Sequence, residues 1–130
     1  MAKSKLDEYR FKVITDPVHG DIGLSRLEVD LINTQSFQRL RRLKQLGLAT
    51  LVYPSASHSR FSHSLGVFHI MSRAIELMVR RGKFTDTEGR LLRIAALLHD
   101  IGHYPYSHLV ERLDRDPYRK ALLGRGRRGK

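Results

Sequence analysis

The residue types best able to do chemistry sit where the apolar run Leu91 to Leu98 gives way to His99-Asp100-Ile101-Gly102-His103. An ionisable pair directly after Leu97-Leu98 is costly to bury without a partner, because an unpaired charge in apolar surroundings loses its hydration. A metal ion is one partner that removes the cost. Imidazole nitrogen and carboxylate oxygen suit first-row divalent ions such as zinc, iron or manganese, and no cysteine is present to favour a softer ion. A helix end whose His99 and His103 cap carbonyls would have the same spacing. The spacing alone does not choose between the two.

On a continuous helix His99 and His103 project from one face, with Asp100 about 100° round from His99. An ion touching His99 and Asp100 therefore needs ligands from a second element. Arg60-Phe61-Ser62-His63 offers a histidine at the start of another helix and an arginine whose planar fork suits an anionic ligand. That His63 meets His99 is an expectation of packing, since consecutive long helices with short turns lie side by side. A metal held there can bind a phosphate oxygen and lower the pKa of coordinated water, which makes hydrolysis the natural chemistry. A Walker-type phosphate loop, a Gly-x-Ser-x-Gly elbow and a cysteine nucleophile are all absent from the sequence.

The elements that must position these groups are mostly helical. Phe11 to Leu24 is short, partly alternating and broken by Asp-Pro and His-Gly-Asp turn signals, so it reads as a small hairpin or an irregular lead-in. Ser25 and Glu28 form a capping box for a first helix carrying Leu27, Leu31 and Ile32. Thr34 caps a second, with Phe37, Leu40, Leu43 and Leu46 inward and Gly47 ending it. Tyr53 to Arg60 reads as a loop feeding a long helix from about Ser62 to Arg81, whose buried face takes Leu65, Phe68, Met71 or Ser72, Ile75, and Met78 or Val79. Thr85 and Glu88 form a second capping box, opening the helix that carries the central stretch to Gly102. Pro105 fits the first turn of a last helix with Leu109, Val110 and Leu113 apolar.

At 130 residues the chain holds one core, divided as a polar lead (1–10), a helical domain (11–113) and a basic, disordered tail (114–130). Of the formal charge of +11, the segment from Leu113 onward supplies +5, from seven Lys or Arg and two Asp, leaving +6 for the rest. This basicity admits nucleic acid as a partner. Arg39, Arg41, Arg42 and Lys44, however, read first as a solvated face or a subunit contact. No apolar run is long enough to cross a membrane, and the lack of cysteine and of a signal-peptide pattern points to the cytoplasm.

Five spaced blocks then occur in order: Asp16-Pro17-Val18-His19-Gly20, Phe37-Gln38-Arg39-Leu40-Arg41, Lys44-Gln45-Leu46-Gly47, Ser57 to Val67, and Leu98 to His103. With them the chain resembles the HD-domain phosphohydrolases, and within that superfamily it is similar to the deoxynucleoside triphosphate triphosphohydrolases of the SAM-and-HD-domain type. The resemblance implies a mostly α fold, a helical HD-domain core. It implies that His63, His99 and Asp100 are ligands of a divalent transition metal, with magnesium accompanying the nucleotide. It implies that His103 and Glu111 belong to the catalytic group beside the phosphates, that Arg60 contacts phosphate, and that Gln45 and Leu46 line the sugar pocket. The expected reaction turns a deoxynucleoside triphosphate into deoxynucleoside and triphosphate, and a homo-oligomer is compatible with the family.

The departures define further expectations. The family's fourth metal ligand, an aspartate far downstream, has no counterpart, because Asp114 and Asp116 come too early; a second catalytic histidine is also missing. The chain is therefore expected to be the front part of a longer enzyme, with Gly124 to Lys130 resembling an artificial or frame-shifted end. Thr15 and Asn33 stand where regulated members carry an amide and an acidic residue, so guanine-triggered activation is not implied. The competing expectation is an inactive fragment or a basic nucleic-acid-binding module.

Overall fold

The computed structural model describes residues 10–106. Strands β1 (Lys12–Asp16) and β2 (Gly20–Leu24) form an antiparallel hairpin in which Lys12 faces Leu24 and Asp16 faces Gly20. Its turn closes because the Asp16 carboxylate accepts the backbone N–H groups of Val18 and His19, and because Gly20 adopts φ +70°. Alternation along β2 sends Ile22 and Leu24 into the core.

Helix α1 (Arg26–Ile32) starts at the predicted capping box, with Ser25 and Glu28 each accepting the other's backbone N–H. Glu28 does more than cap. Its buried carboxylate takes Arg93, far along the chain, in two bonds of 2.8 and 2.9 Å. Helix α2 (Gln35–Gln38) is capped by Thr34 as expected.

The second helix does not run on to Gly47. It tightens into a 3-10 turn over Arg39–Arg42 and stops at Leu43, whose backbone is extended. The cause is long-range: Lys44 bridges Ser59 as a two-residue sheet, Gln45 N–H donates to His58 O, and Arg60 N–H donates to Leu43 O. Phe37, Leu40 and Leu43 are buried as predicted, whereas Leu46 lies beyond the helix and is exposed.

Helix α3 (Arg60–Arg80) begins two residues earlier than predicted because Ser59 caps it, its hydroxyl accepting the Ser62 N–H. Of the alternatives on its inner face, Ser72 is buried and Met71 exposed, and Val79 is less exposed than Met78. Helix α4 (Asp86–Leu98) opens at the Thr85/Glu88 box and packs along α3. The core gathers Ile22, Leu24, Phe37, Leu40, Phe61, Leu65, Phe68 and Leu97 between hairpin and helices. The helix expected after Pro105, Glu111 within it and the basic tail lie outside the described residues.

Candidate metal centre

Two helix ends build the site. The start of α3 contributes Arg60 and His63, and the end of α4 contributes His99, Asp100 and His103. Contrary to the continuous-helix expectation, α4 ends at Leu98. The chain then turns tightly, with Ile101 N–H on Leu98 O and His103 N–H on Asp100 O. Arg39 holds this turn from outside, its guanidinium donating to Ile101 O at 2.6 Å. Nothing in local periodicity marked Arg39 for that task, because its partner is 62 residues away.

The turn points its donors inward on a buried carboxylate. Asp100 is 5 % exposed, and its Oδ1 lies 3.5 Å from His99 Nε2 and 3.2 Å from His103 Nε2. Its Oδ2 lies 2.8 Å from Arg60 Nη1 and 3.8 Å from His63 Nε2. One ligand atom each from His63, His99 and Asp100 fall within 4.8 Å of one another, and no other such metal-capable group occurs among the described residues. The expected meeting of His63 and His99 is realised, with ring centroids 5.4 Å apart in an edge-to-face arrangement.

This donor set fits a divalent transition ion. His99 Nδ1 lies 2.9 Å from Ala96 O, and a carbonyl can only accept, so in a neutral ring Nδ1 carries the proton and Nε2 is left with the lone pair that ligation needs. Burial, the largest cause, holds the His63 pKa below the ordinary imidazole range against the opposing pull of Asp100, with His99, His58 and Arg60 adding to the lowering. A neutral imidazole is the form that ligates. Two nitrogens and one carboxylate oxygen suit iron, manganese or zinc.

Arg60 is 3 % exposed and paired with Asp100, so it orients the carboxylate, a role that the spacing did not disclose. His103 joins the cluster at Asp100. Gln45 sits on the bridged segment that leads into Arg60, and its Oε1 is buried without a hydrogen-bond partner among the described residues. Leu46 beside it is 51 % exposed. Of the helix-two cations, Arg39 is bound to Ile101 O and Arg41 lies 3.7 Å over the Phe61 ring, so two of the four serve the fold rather than forming a uniform basic face.

A His from one helix and a His-Asp pair from the end of the next, closing on a buried carboxylate, define an HD-domain phosphohydrolase. Residues 60–125 match the HD domain family, and the chain belongs to it. It is 45% identical over 103 residues to the deoxynucleoside triphosphate triphosphohydrolase SAMHD1 homolog of Dictyostelium discoideum, covering 77% of this chain and 20% of that one. Over 103 residues it is 43% identical to SAMHD1 of Homo sapiens, covering 77% and 16% of the two chains. Among solved structures it is similar to a phosphohydrolase from Bacteroides thetaiotaomicron, at 48% identity and a TM-score of 0.73, over 78% of this chain and 26% of that one. The chain thus spans a minor part of the length of each relative. No helix among the described residues is long and apolar enough to cross a membrane.

Proposed function

We propose that this chain carries the metal-binding portion of an enzyme that hydrolyses deoxynucleoside triphosphates to deoxynucleoside and triphosphate. The observation that carries the reading is the convergence of His63, His99 and buried Asp100, with donor atoms within 4.8 Å, beside Arg60. The likeness to relatives named for that reaction supports the substrate class. A divalent ion bound there supplies Lewis-acid charge against phosphate oxygens and lowers the pKa of coordinated water.

The chain's own residues have separate tasks. Arg60 fixes Asp100, and its guanidinium is assigned to the phosphate oxygens of the substrate. In the reaction an oxygen from water joins the α-phosphorus, the bond from that phosphorus to the sugar O5′ breaks, and O5′ takes up a proton. His103, 3.2 Å from Asp100, is the residue assigned to that proton, with Glu111 supporting it. Gln45 and Leu46 are assigned to the sugar, where a site without room or partner for a 2′-hydroxyl penalises ribonucleotides.

The test is metal content and product analysis on the purified chain beside a His99→Ala/Asp100→Ala variant. Near-stoichiometric iron, manganese or zinc in the native chain alone, and release of intact triphosphate from deoxynucleoside triphosphates, is the expected result. A folded chain that holds no metal, or one that releases pyrophosphate instead, overturns the reading.

A further inference from the structure

A cavity of about 120 Å³ is lined by residues of β2, α3 and α4 and includes none of the proposed metal ligands. It is far larger than the roughly 10–15 Å³ that one water requires. Arg10, His69, Arg73 and Arg93 line it, together with Asp21 and Glu76.

The two carboxylates are already engaged. Asp21 accepts the Thr15 hydroxyl at 2.9 Å, and Glu76 takes Arg80 at 2.7 Å. Arg93 is held by Glu28 and lies 4.7 Å from the centre of the Phe68 ring, so it forms a fixed cationic floor. Arg10 and Arg73 differ, because neither guanidinium has a hydrogen-bonded carboxylate or carbonyl among the described residues. Each carboxylate thus holds one donor, whereas the guanidinium capacity left open in the lining belongs to Arg10 and Arg73. Gly23 serves the same arrangement. A Cβ there would collide with the Arg10 guanidinium, although the Gly23 backbone is not one that demands glycine. Glycine at 23 leaves the room that the Arg10 guanidinium occupies against β2.

We infer that this cavity is a binding site for a phosphate-class oxyanion, gripped between the forks of Arg10 and Arg73 above Arg93. A tetrahedral oxyanion presents several acceptor oxygens, which matches planar guanidinium donors better than a point charge does. Bound there, it ties the segment entering β1 to the middle of α3. None of these residues is a proposed metal ligand, so the inference stands whether or not the reading of the metal centre holds.

The experiment titrates the metal-free full chain, kept in chelator, with inorganic phosphate at ionic strength held constant by chloride, following the His69 imidazole Cε1–H signal by NMR. A second arm uses glycerol 3-phosphate. A saturable shift is expected, weakened about tenfold or more by Arg10→Ala and by Arg73→Ala, partly restored by Arg73→Lys, and changed less than about twofold by Lys83→Ala. Equal affinity in the two arms assigns the free phosphate group. Tighter binding of the ester assigns a phosphate monoester. A shift that chloride alone reproduces, one that does not saturate, or wild-type affinity in both folded alanine variants overturns the inference.

Discussion

At Asp100 a single carboxylate answers to three imidazoles and a guanidinium, and this decides what its replacement does. With Arg60 and Asp100 both buried, removing the carboxylate leaves a guanidinium in the interior without that counter-charge. Breaking a buried pair from one side costs about 3–5 kcal/mol. Asp100→Ala is therefore expected to lower the unfolding free energy of the metal-free chain by that amount, measured by urea denaturation, in addition to removing a proposed metal ligand. A loss below about 1 kcal/mol would mean that Arg60 is solvated and its pairing with Asp100 weak. Ser64 tests the opposite case. Its hydroxyl is fully buried and finds no hydrogen-bond partner among the described residues. A buried unsatisfied hydroxyl is a net cost, so Ser64→Ala should raise stability by about 1 kcal/mol. A comparable loss would show that the hydroxyl is bonded after all.

Between elements, the hairpin turn docks on α3 through His19. The His19 Nε2 would lie 2.8 Å from a Cβ at Gly66, and its ring centroid is 5.4 Å from that of His69. Gly66→Ala must therefore displace the His19 ring; because that ring is the end of a side chain and alanine gains about 1 kcal/mol of helix propensity, the net loss in urea denaturation should stay below about 1 kcal/mol. The same contact sets a pH dependence. Burial chiefly, then His19 and Arg73, hold His69 below its ordinary value, while Asp16 opposes them weakly. Because the folded pKa lies below the unfolded one, the contribution is fully present above about pH 6.5 and is lost as pH falls through the folded value. Acidification from pH 7.5 to 5.5 should thus destabilise the native chain more than His69→Gln, in paired thermal melts; parallel curves would sink this account. What the sequence disclosed follows the same local logic. Ser25/Glu28, Thr34 and Thr85/Glu88 were legible because a cap acts within four residues, and Phe68 and Ile75 because helical period exposes a face. The break at Leu43 was not legible, since Lys44 meets Ser59 across a loop. Nor was the end of α4 at Leu98, where His99 to His103 turn inward instead of continuing the helix.

For the molecule as a whole, the proposed metal centre sits where the two long helices meet, beside a core in which Phe61 and Leu97 are both buried. His63 belongs to α3 and the His99-Asp100 pair follows α4, so an ion bound to all three ties together elements that unfolding would separate. The set does not form in an unfolded chain, and binding that discriminates in this way adds to stability by mass action. At a free-ion concentration roughly 100-fold above Kd the gain is about 2.7 kcal/mol. Manganese, iron or zinc should therefore raise the melting temperature of the chelator-stripped chain, and chelator should reverse the rise. His63→Ala should lose the increment while keeping most of the apo stability, because His63 is only half-buried and the Arg60–Asp100 pair remains. Were the His63→Ala chain to gain as much from metal as the native one, the ion would be bound by the end of α4 alone, and the two-helix centre would be wrong.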